Sequence, residues 1–175
     1  LLGQAVRRLR QTADLKSLPK LPALALSELP SLDINVELPL GAEIPPDYIP
    51  DQALRLTLYR RISALRDEKS IDETATEFAD RFGALPDGVK DLLYQMRVKI
   101  LGEARGLDSI GIAGQQIVLS YPPLPQGLKD RGLPELAPPA RAGRNAYWIK
   151  PNSLVRGDWQ DLLLDVLRQI PLMAR

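Results

Sequence analysis

The sequence predicts an α+β fold from the order of its hydrophobic patterns. One strand pattern comes first, three helical patterns follow in tandem, short strands come next, and a helical pattern ends the series. Fourteen of the 16 prolines lie in two windows, residues 16–51 and 121–152, where helix interiors and central strands are therefore not expected. We expect a single compact domain with a central helix cluster, short strands and a C-terminal helix.

The first residues have helical spacing, because Leu2, Val6 and Leu9 fall at i, i+4 and i+7. No capping residue or methionine precedes them, so we expect residues 1–15 to form a helix that begins inside a longer polypeptide. Residues 16–30 are expected to be a proline-containing connector, and residues 31–175 the domain itself.

The first strand is predicted at residues 32–38, which alternate strictly between apolar and polar residues. Pro39 ends the pattern. The loop that follows, residues 41–50, is expected to be ordered because Ile44 and Ile49 are too apolar for free solvent.

Three helices are predicted next. Asp51 can cap the first, and Ser70 with Glu73 forms a capping box that predicts the start of the second. The third is expected from about Asp87 to Arg105, with Gly106 as its stop. The expected core positions are Leu54, Leu58, Ile62 and Leu65 in the first helix, Ala75, Phe78, Ala79 and Phe82 in the second, and Leu93, Met96, Ile100 and Ala104 in the third.

Strands and one helix are predicted in the remainder. Residues 110–112 and 116–121 flank Ala113-Gly114 and predict a hairpin, and residues 147–149 predict a further strand. Asp158 can cap the last helix. Its expected apolar positions are Trp159, Leu162, Leu163, Val166, Leu167 and Ile170.

Composition excludes most catalytic chemistry. The chain has no cysteine and no histidine, so it lacks thiolates and imidazoles as nucleophiles, bases or metal ligands. It also has no phosphate-binding glycine loop and no nucleophile elbow. Two carboxylate clusters have the helical spacing of solvated surfaces: Asp72, Glu73, Glu77 and Asp80, and Asp158, Asp161 and Asp165. We therefore expect no enzyme activity, cofactor or metal in this chain.

The net charge is only +1, so the chain as a whole has no strong electrostatic attraction to nucleic acid or anionic lipid. No apolar run is long enough to span a membrane, and no secretory signal is present. A basic face remains a candidate for weak nucleic-acid contact, although a solvated helix face has the same pattern. Its residues are Arg55, Tyr59, Arg60, Arg61 and Arg66, with Arg97, Lys99 and Arg105 beyond them.

The acidic face of the second helix is more informative. Glu73, Glu77 and Asp80 fall at i, i+4 and i+7, and Arg81 is the only local counter-charge. The helix dipole favours acids in the first turn but does not explain Glu77 and Asp80 further along. Either a solvated surface or a basic partner accounts for them.

Several segments together resemble the C-terminal region of the bacterial transcription-repair coupling factors, the Mfd family. The similarity extends over residues 31–112 and is weaker in the first dozen residues and the last helix. Residues 122–144 are richer in proline than this resemblance leads us to expect. Gly3-Gln4 stands where acidic residues are expected, so the resemblance implies either of two origins for the helix of residues 1–15: continuation from an upstream motor domain, or a helix of this domain. The segments that carry the resemblance are residues 44–51 (IPPDYIPD), 55–62 (RLTLYRRI), 77–83 (EFADRFG), 85–87 (LPD) and 99–104 (KILGEA).

The resemblance implies a role that composition does not show. Such proteins are ATP-driven translocases on double-stranded DNA that displace stalled RNA polymerase and recruit UvrA. Their motor, with its ATP and Mg, and their polymerase-binding and UvrB-like modules lie upstream of this region. The C-terminal domain is non-catalytic, docks on the UvrB-like module of the same polypeptide and masks its UvrA-binding surface.

By position, the docking acids of the resemblance match Glu77 and Asp80, with Glu73 and Arg81 beside them. We therefore expect an autoinhibitory, cytoplasmic interaction domain that does not contact membranes. The alternatives are an independent adaptor with an acidic docking face and a weak nucleic-acid-binding module.

Overall fold

The computed structural model describes residues 33–155 and 157–172, and these residues have the expected α+β fold. The predictions for residues 1–15 and 16–30 lie outside the described residues. The described chain divides into two compact units. One is residues 39–97, and the other is residues 33–38 together with residues 98–172.

Helix α1, Gln52–Ser63, begins as predicted at Asp51. The Asp51 carboxylate accepts hydrogen bonds from the backbone N–H groups of Ala53 (2.8 Å) and Leu54 (3.1 Å). Such a cap satisfies amides that have no partner inside the helix. Leu58 and Ile62 are buried as predicted, whereas Leu54 and Leu65 are only half-buried.

The loop before α1 is ordered and its apolar residues are buried, as expected. Ile44 and Ile49 are 3% and 2% exposed. Tyr59 of α1 is also buried, and its hydroxyl oxygen accepts a hydrogen bond from the Ile44 backbone N–H at 2.6 Å. The loop is therefore fixed to α1 by packing and by a buried hydrogen bond.

Helix α2, Glu68–Phe82, begins earlier than predicted. Its N-cap is Asp67, whose carboxylate accepts hydrogen bonds from the Ser70 backbone N–H at 2.8 Å and the Ser70 hydroxyl at 2.7 Å. The predicted capping box at Ser70 and Glu73 was therefore wrong. Asp67 precedes Ser70 by three residues, and its extended backbone allows the helix to gain a further turn.

The buried stripe of α2 consists of Ile71, Thr74 and Phe78. Thr74 is accommodated because its hydroxyl donates a hydrogen bond to the Ser70 carbonyl at 2.7 Å. Ala79 is exposed, so its predicted burial was wrong, and Ala75 and Phe82 are half-buried. An alanine methyl is too small to set the phase of a helix against isoleucine and phenylalanine.

Helix α3, Asp87–Ala104, ends close to its predicted stop. Leu93, Met96 and Ile100 are buried as predicted, whereas Ala104 is exposed and its prediction was wrong. Gly106 has φ 71°, a left-handed conformation that glycine adopts without a Cβ penalty.

The described residues contain five strands: β1, Asn35–Glu37; β2, Ser109–Ala113; β3, Gln116–Ser120; β4, Ala140–Ala142; and β5, Ala146–Ile149. They form one mixed sheet in the order β1-β2-β3-β5-β4. The predicted hairpin is confirmed by the antiparallel pair β2 and β3, with Gly114 at φ 63° in its turn. Strand β1 is shorter than predicted and pairs parallel with β2. The alanine-rich strand β4 was not predicted.

Helix α4, Gln160–Gln169, has the predicted apolar face but not the predicted cap. Its N-cap residue is Trp159, with no side-chain cap hydrogen bond, so the prediction for Asp158 was wrong. Trp159 is 1% exposed, so burial of its indole determines where the helix begins. Leu163, Val166, Leu167 and Ile170 are buried as predicted, Leu162 is half-buried, and Leu164 is buried in addition.

Truncation of Phe78 tests the phase of α2. Phe78 is fully buried and makes an edge-on contact with the Phe82 ring at a centroid distance of 5.8 Å. We expect Phe78→Ala to lower the free energy of unfolding by about 3–5 kcal/mol. Thr76→Ala, on the exposed side, should change it by about 0.5 kcal/mol or less. Urea titration of both variants measures the difference, and equal effects would contradict the assigned phase.

Candidate functional site

The candidate site is the exposed face of α2, opposite its buried stripe. This face borders an open depression of about 630 Å³. It contains all four residues expected to take part in docking, Glu73, Glu77, Asp80 and Arg81. The depression is also bordered by Lys69, Asp72 and Thr76.

Glu77 is held by two arginines of the same unit. Arg61 of α1 donates two hydrogen bonds to it, one from Nη1 to Oε1 at 2.7 Å and one from Nη2 to Oε2. Arg81 donates a third, from Nη1 to Oε1 at 3.0 Å. These hydrogen bonds, those of Arg61 foremost, lower the pKa of Glu77 to about 2. The carboxylate is therefore paired within the domain.

Asp72 is also paired within the unit. Arg97 of α3 binds Asp72 and also donates to Glu68 Oε1 at 3.0 Å, while its own side chain is only 19% exposed. This arginine holds α2 against α3 from the edge of the acidic face. Asp72 therefore has a structural role, although the sequence placed it among the candidate acids.

Glu73 and Asp80 are the more available acids. Glu73 is 3.4 Å from Lys69, but both side chains are largely exposed, which makes this a weak pair. Asp80 makes no hydrogen bond or ion pair with another residue that the structure describes. It lies near the C-terminal end of α2, where the helix dipole disfavours an acid.

Arg81 has two contacts on this face. It pairs with Glu77, and its guanidinium carbon lies 5.0 Å from the centroid of the Phe82 ring. A cation over an aromatic ring is weakly attracted to it. Arg81 therefore contributes a positive charge to a face that is otherwise mainly acidic.

Arg61 is the member of the site that sequence reasoning did not assign to it. It is separated from Glu77 by 16 positions and belongs to another helix. Spacing rules reach only neighbours on one helix, so they identified Arg81 alone as a local counter-charge. The sequence did place an arginine on the surface of α1, but nothing in its spacing showed that Glu77 is its partner.

The alternative basic face is mostly occupied by contacts within the protein. Arg55 donates to the carbonyls of Ile49 (2.7 Å) and Pro50 (2.9 Å). Arg66 likewise binds two carbonyls, and Arg105 is buried against Leu101. Tyr59 is buried, and Arg61 and Arg97 bind carboxylates. Arg60 is exposed and its side chain makes no hydrogen bond or ion pair with another described residue, so it is the arginine of this face most available to a phosphate.

The described part of the chain holds no group of three or more acidic residues that could bind a metal ion. Among its helices, none combines the length and the apolarity required to cross a bilayer.

Comparisons with known proteins agree with the resemblance seen in the sequence. The profile of the TRCF domain family matches residues 38–128. The transcription-repair-coupling factor of Haemophilus influenzae is 37% identical over 91 residues, 52% of this chain, and that of Escherichia coli K12 is 36% identical over 83 residues, 47% of this chain. The aligned stretch covers 8% and 7% of those two proteins.

A solved structure shares the fold. A crystal structure of the C-terminal domain of a transcription-repair coupling factor superposes with a TM-score of 0.63 and 21% sequence identity, covering 81% of this chain and 95% of that chain. At 21% identity this likeness shows a shared fold. Because the family profile matches more than half of the sequence, the chain belongs to the TRCF domain family.

Proposed function

We propose that this chain is the autoinhibitory C-terminal domain of a transcription-repair coupling factor. It docks through the exposed face of α2 on the UvrB-like module of the same polypeptide and masks the surface that binds UvrA. The observation that carries the proposal is Asp80, an exposed acid without a partner among the described residues, at an end of α2 where the helix dipole disfavours it. A basic partner surface would compensate for this charge.

Asp80 and Glu73 are the residues that can form new ion pairs at low cost. Asp80 has no internal pair to break within the described chain, and Glu73 has only a weak one with Lys69. An arginine on the partner would make charge-assisted hydrogen bonds with these carboxylates, and water would be excluded as the surfaces meet. These two acids therefore supply most of the electrostatic attraction in the proposed interface.

Glu77 has a different role in this proposal. A carboxylate has about four lone-pair sites, and Arg61 and Arg81 already donate three hydrogen bonds to Glu77. A partner arginine can take the remaining site on Oε2 or must displace Arg61. Glu77 thus fixes Arg61 and Arg81 in place beside Asp80 and adds less attraction than an unpaired acid would.

The rest of the proposal follows from family membership. In the parent protein the partners would be the UvrB-like module, UvrA, RNA polymerase and double-stranded DNA. The ATP and Mg of the motor would bind outside this chain, and this chain would need no cofactor. We place the protein in the cytoplasm, where transcription and repair of bacterial DNA take place.

The two alternatives have less support. An independent adaptor would use the same acidic face. This alternative differs from the autoinhibitory domain only in that the chain would not belong to a longer polypeptide. The basic face on α1 is a poor nucleic-acid site because Arg55, Arg61 and Arg66 are already engaged within the unit.

Charge reversal at Asp80 tests the docking proposal. In the full-length parent, Asp80→Lys should place a repelling charge opposite the basic partner surface and shift the domain toward its undocked state. We expect UvrA to bind about tenfold or more tightly than it binds the wild type, since each tenfold shift corresponds to about 1.4 kcal/mol. Titration of UvrA, followed by fluorescence anisotropy, gives the two affinities.

Asp165→Lys is the matched control, because Asp165 is 70% exposed on α4 and undergoes the same change of charge. It should leave UvrA affinity unchanged. If Asp80→Lys and Asp165→Lys both bind UvrA as the wild type does while remaining folded, the α2 face is only a solvated surface.

The pairing of Glu77 predicts a dependence of stability on pH. Its pKa is lowered from 4.5 to about 2 in the folded protein, so its contribution is present above pH 4.5 and is lost as the pH falls toward 2. We expect Glu77→Gln to unfold at a lower temperature than wild type at pH 6, and the gap to close near pH 2. The effect should be small because the carboxylate is exposed to solvent. A gap that is constant with pH, measured by thermal unfolding, would contradict the assigned ion pairs.

A further inference from the structure

The sheet has a second face on which polar and apolar residues remain partly exposed. Strands β2, β3 and β5 bury one side, with Ile110, Ile117, Leu119, Tyr147 and Ile149 all 1% exposed or less. On the other side, Val118 of β3 lies directly opposite Trp148 of β5, which lies opposite Arg141 of β4. Trp148 is half-buried and Arg141 is exposed.

The indole of Trp148 packs against the turn between β4 and β5. A Cβ placed on Gly143 would lie 3.2 Å from its Nε1 and 3.4 Å from its Cδ1, so the ring fits because Gly143 has no side chain. The Gly143 N–H also donates to the Ala146 carbonyl at 2.8 Å, which closes the turn. The turn therefore restrains one edge of the ring, and Trp148 remains partly exposed.

Three exposed cations come close to Trp148 in the strand register or in the sequence. Arg141 is opposite Trp148 on the neighbouring strand, Lys150 comes two residues after Trp148, just past the end of β5, and Arg144 lies in the turn. None of their side chains makes a hydrogen bond or ion pair with another described residue. This distinguishes them from Arg131, which donates to Asn145 and Pro122 and lies over the Tyr121 ring.

Nearby acids do not neutralise the cluster. Asp130 accepts a hydrogen bond from the Gly132 N–H within its own turn. Burial raises the pKa of Tyr147 to about 12, and Tyr121 and Glu135 add to this effect, so the charge of Glu135 acts on a side chain of the buried face. Glu37 lies on β1, three strands away from β5, or about 14 Å at the usual strand spacing.

We propose that this edge of the sheet binds single-stranded nucleic acid, with one base stacked on Trp148 and the flanking phosphates bound by Arg141 and Lys150. Adjacent strands are about 4.8 Å apart, and alternate residues of a strand about 6.7 Å apart, so the two cations lie at different sides of the ring. An aromatic ring between cations is the arrangement that binds single strands without reading sequence. An acidic peptide would bind the cations but would not stack on the indole. No contact of this site reads a 2′-hydroxyl, so DNA and RNA strands should bind alike. The site shares no residue with the α2 face and does not depend on the docking proposal.

Tryptophan fluorescence measures stacking directly. The chain has two tryptophans, and Trp159 is 1% exposed, so quenching by an added strand reports on Trp148. We expect dT12 and rU12 to quench fluorescence with a Kd of about 10–100 μM at low salt. Two phosphate contacts on a single strand predict a slope of about −1.4 in log K against log salt.

Charge-reversal variants of the 175-residue chain decide the assignment. Arg141→Glu and Lys150→Glu should each weaken binding of fluorescein-labelled dT12 about tenfold, measured by anisotropy, and each should reduce the salt slope by about 0.7. Arg168→Glu on α4 makes the same charge change on an exposed side chain and should leave binding unchanged. Trp148→Leu should weaken anisotropy binding about tenfold while circular dichroism remains that of the folded chain.

Three results would overturn the proposal. The first is absence of quenching and of anisotropy change up to 1 mM strand at low salt, far above the expected Kd of about 10–100 μM. The second is equal weakening by Arg168→Glu and Arg141→Glu, which would mean that only the general charge of the chain matters. The third is binding of a glutamate dodecapeptide as tight as binding of dT12, which would assign the surface to an acidic protein. If Trp148→Leu does not fold, the two charge reversals still decide between these outcomes.

Discussion

The rotation of α2 about its own axis is the constraint on which the candidate docking site depends. Burial of Ile71, Thr74 and Phe78 fixes which side of the helix faces the core, and Arg97 restrains the helix from α3 through Glu68 and Asp72. Because side chains on a helix are spaced by about 100°, a one-residue change of phase would bring Asp80 or Glu77 toward the apolar core. The cost of burying such a charge keeps the acids on the outside.

The arginines of this chain divide according to the groups that they bind. Arg55 and Arg66 bind backbone carbonyls, Arg61 and Arg97 bind carboxylates across helices, and Arg141 binds no other described residue. A guanidinium has five donors in a fixed fork, so one that is held by partners within the protein can turn toward a phosphate only by breaking those hydrogen bonds. This division, rather than the number of positive charges, separates Arg55, Arg61 and Arg66 from Arg141.

Short sequence patterns correctly predicted those helix starts and turns that are fixed by residues close together in the chain. Asp51 caps α1 through amides two and three residues away, and the Gly114 turn joins neighbouring strands, so both could be recognised from short spacings. The start of α2 could not be decided locally, because Asp67 and Ser70 both suit an N-cap and only the folded backbone selects between them. The exposure of Ala79 and Ala104 was missed because alanine is common on both sides of a helix. Strand β4, three residues long, is too short to show a period.

The candidate site was found from the sequence as a line of acids, but its chemistry depends on pairs that sequence spacing does not show. Arg61 reaches Glu77 from another helix, and Arg97 reaches Asp72 from a third, so two of the four acids on this side of α2 are already paired when the domain folds. Internal pairing lowers the gain in free energy when a partner arginine arrives, because the new hydrogen bond replaces an existing one. The docking that we propose would benefit from this arrangement, because a domain that docks must also release. In that proposal the paired acids fix the geometry of the face, and the attraction to the partner comes from the unpaired acids, with Asp80 foremost.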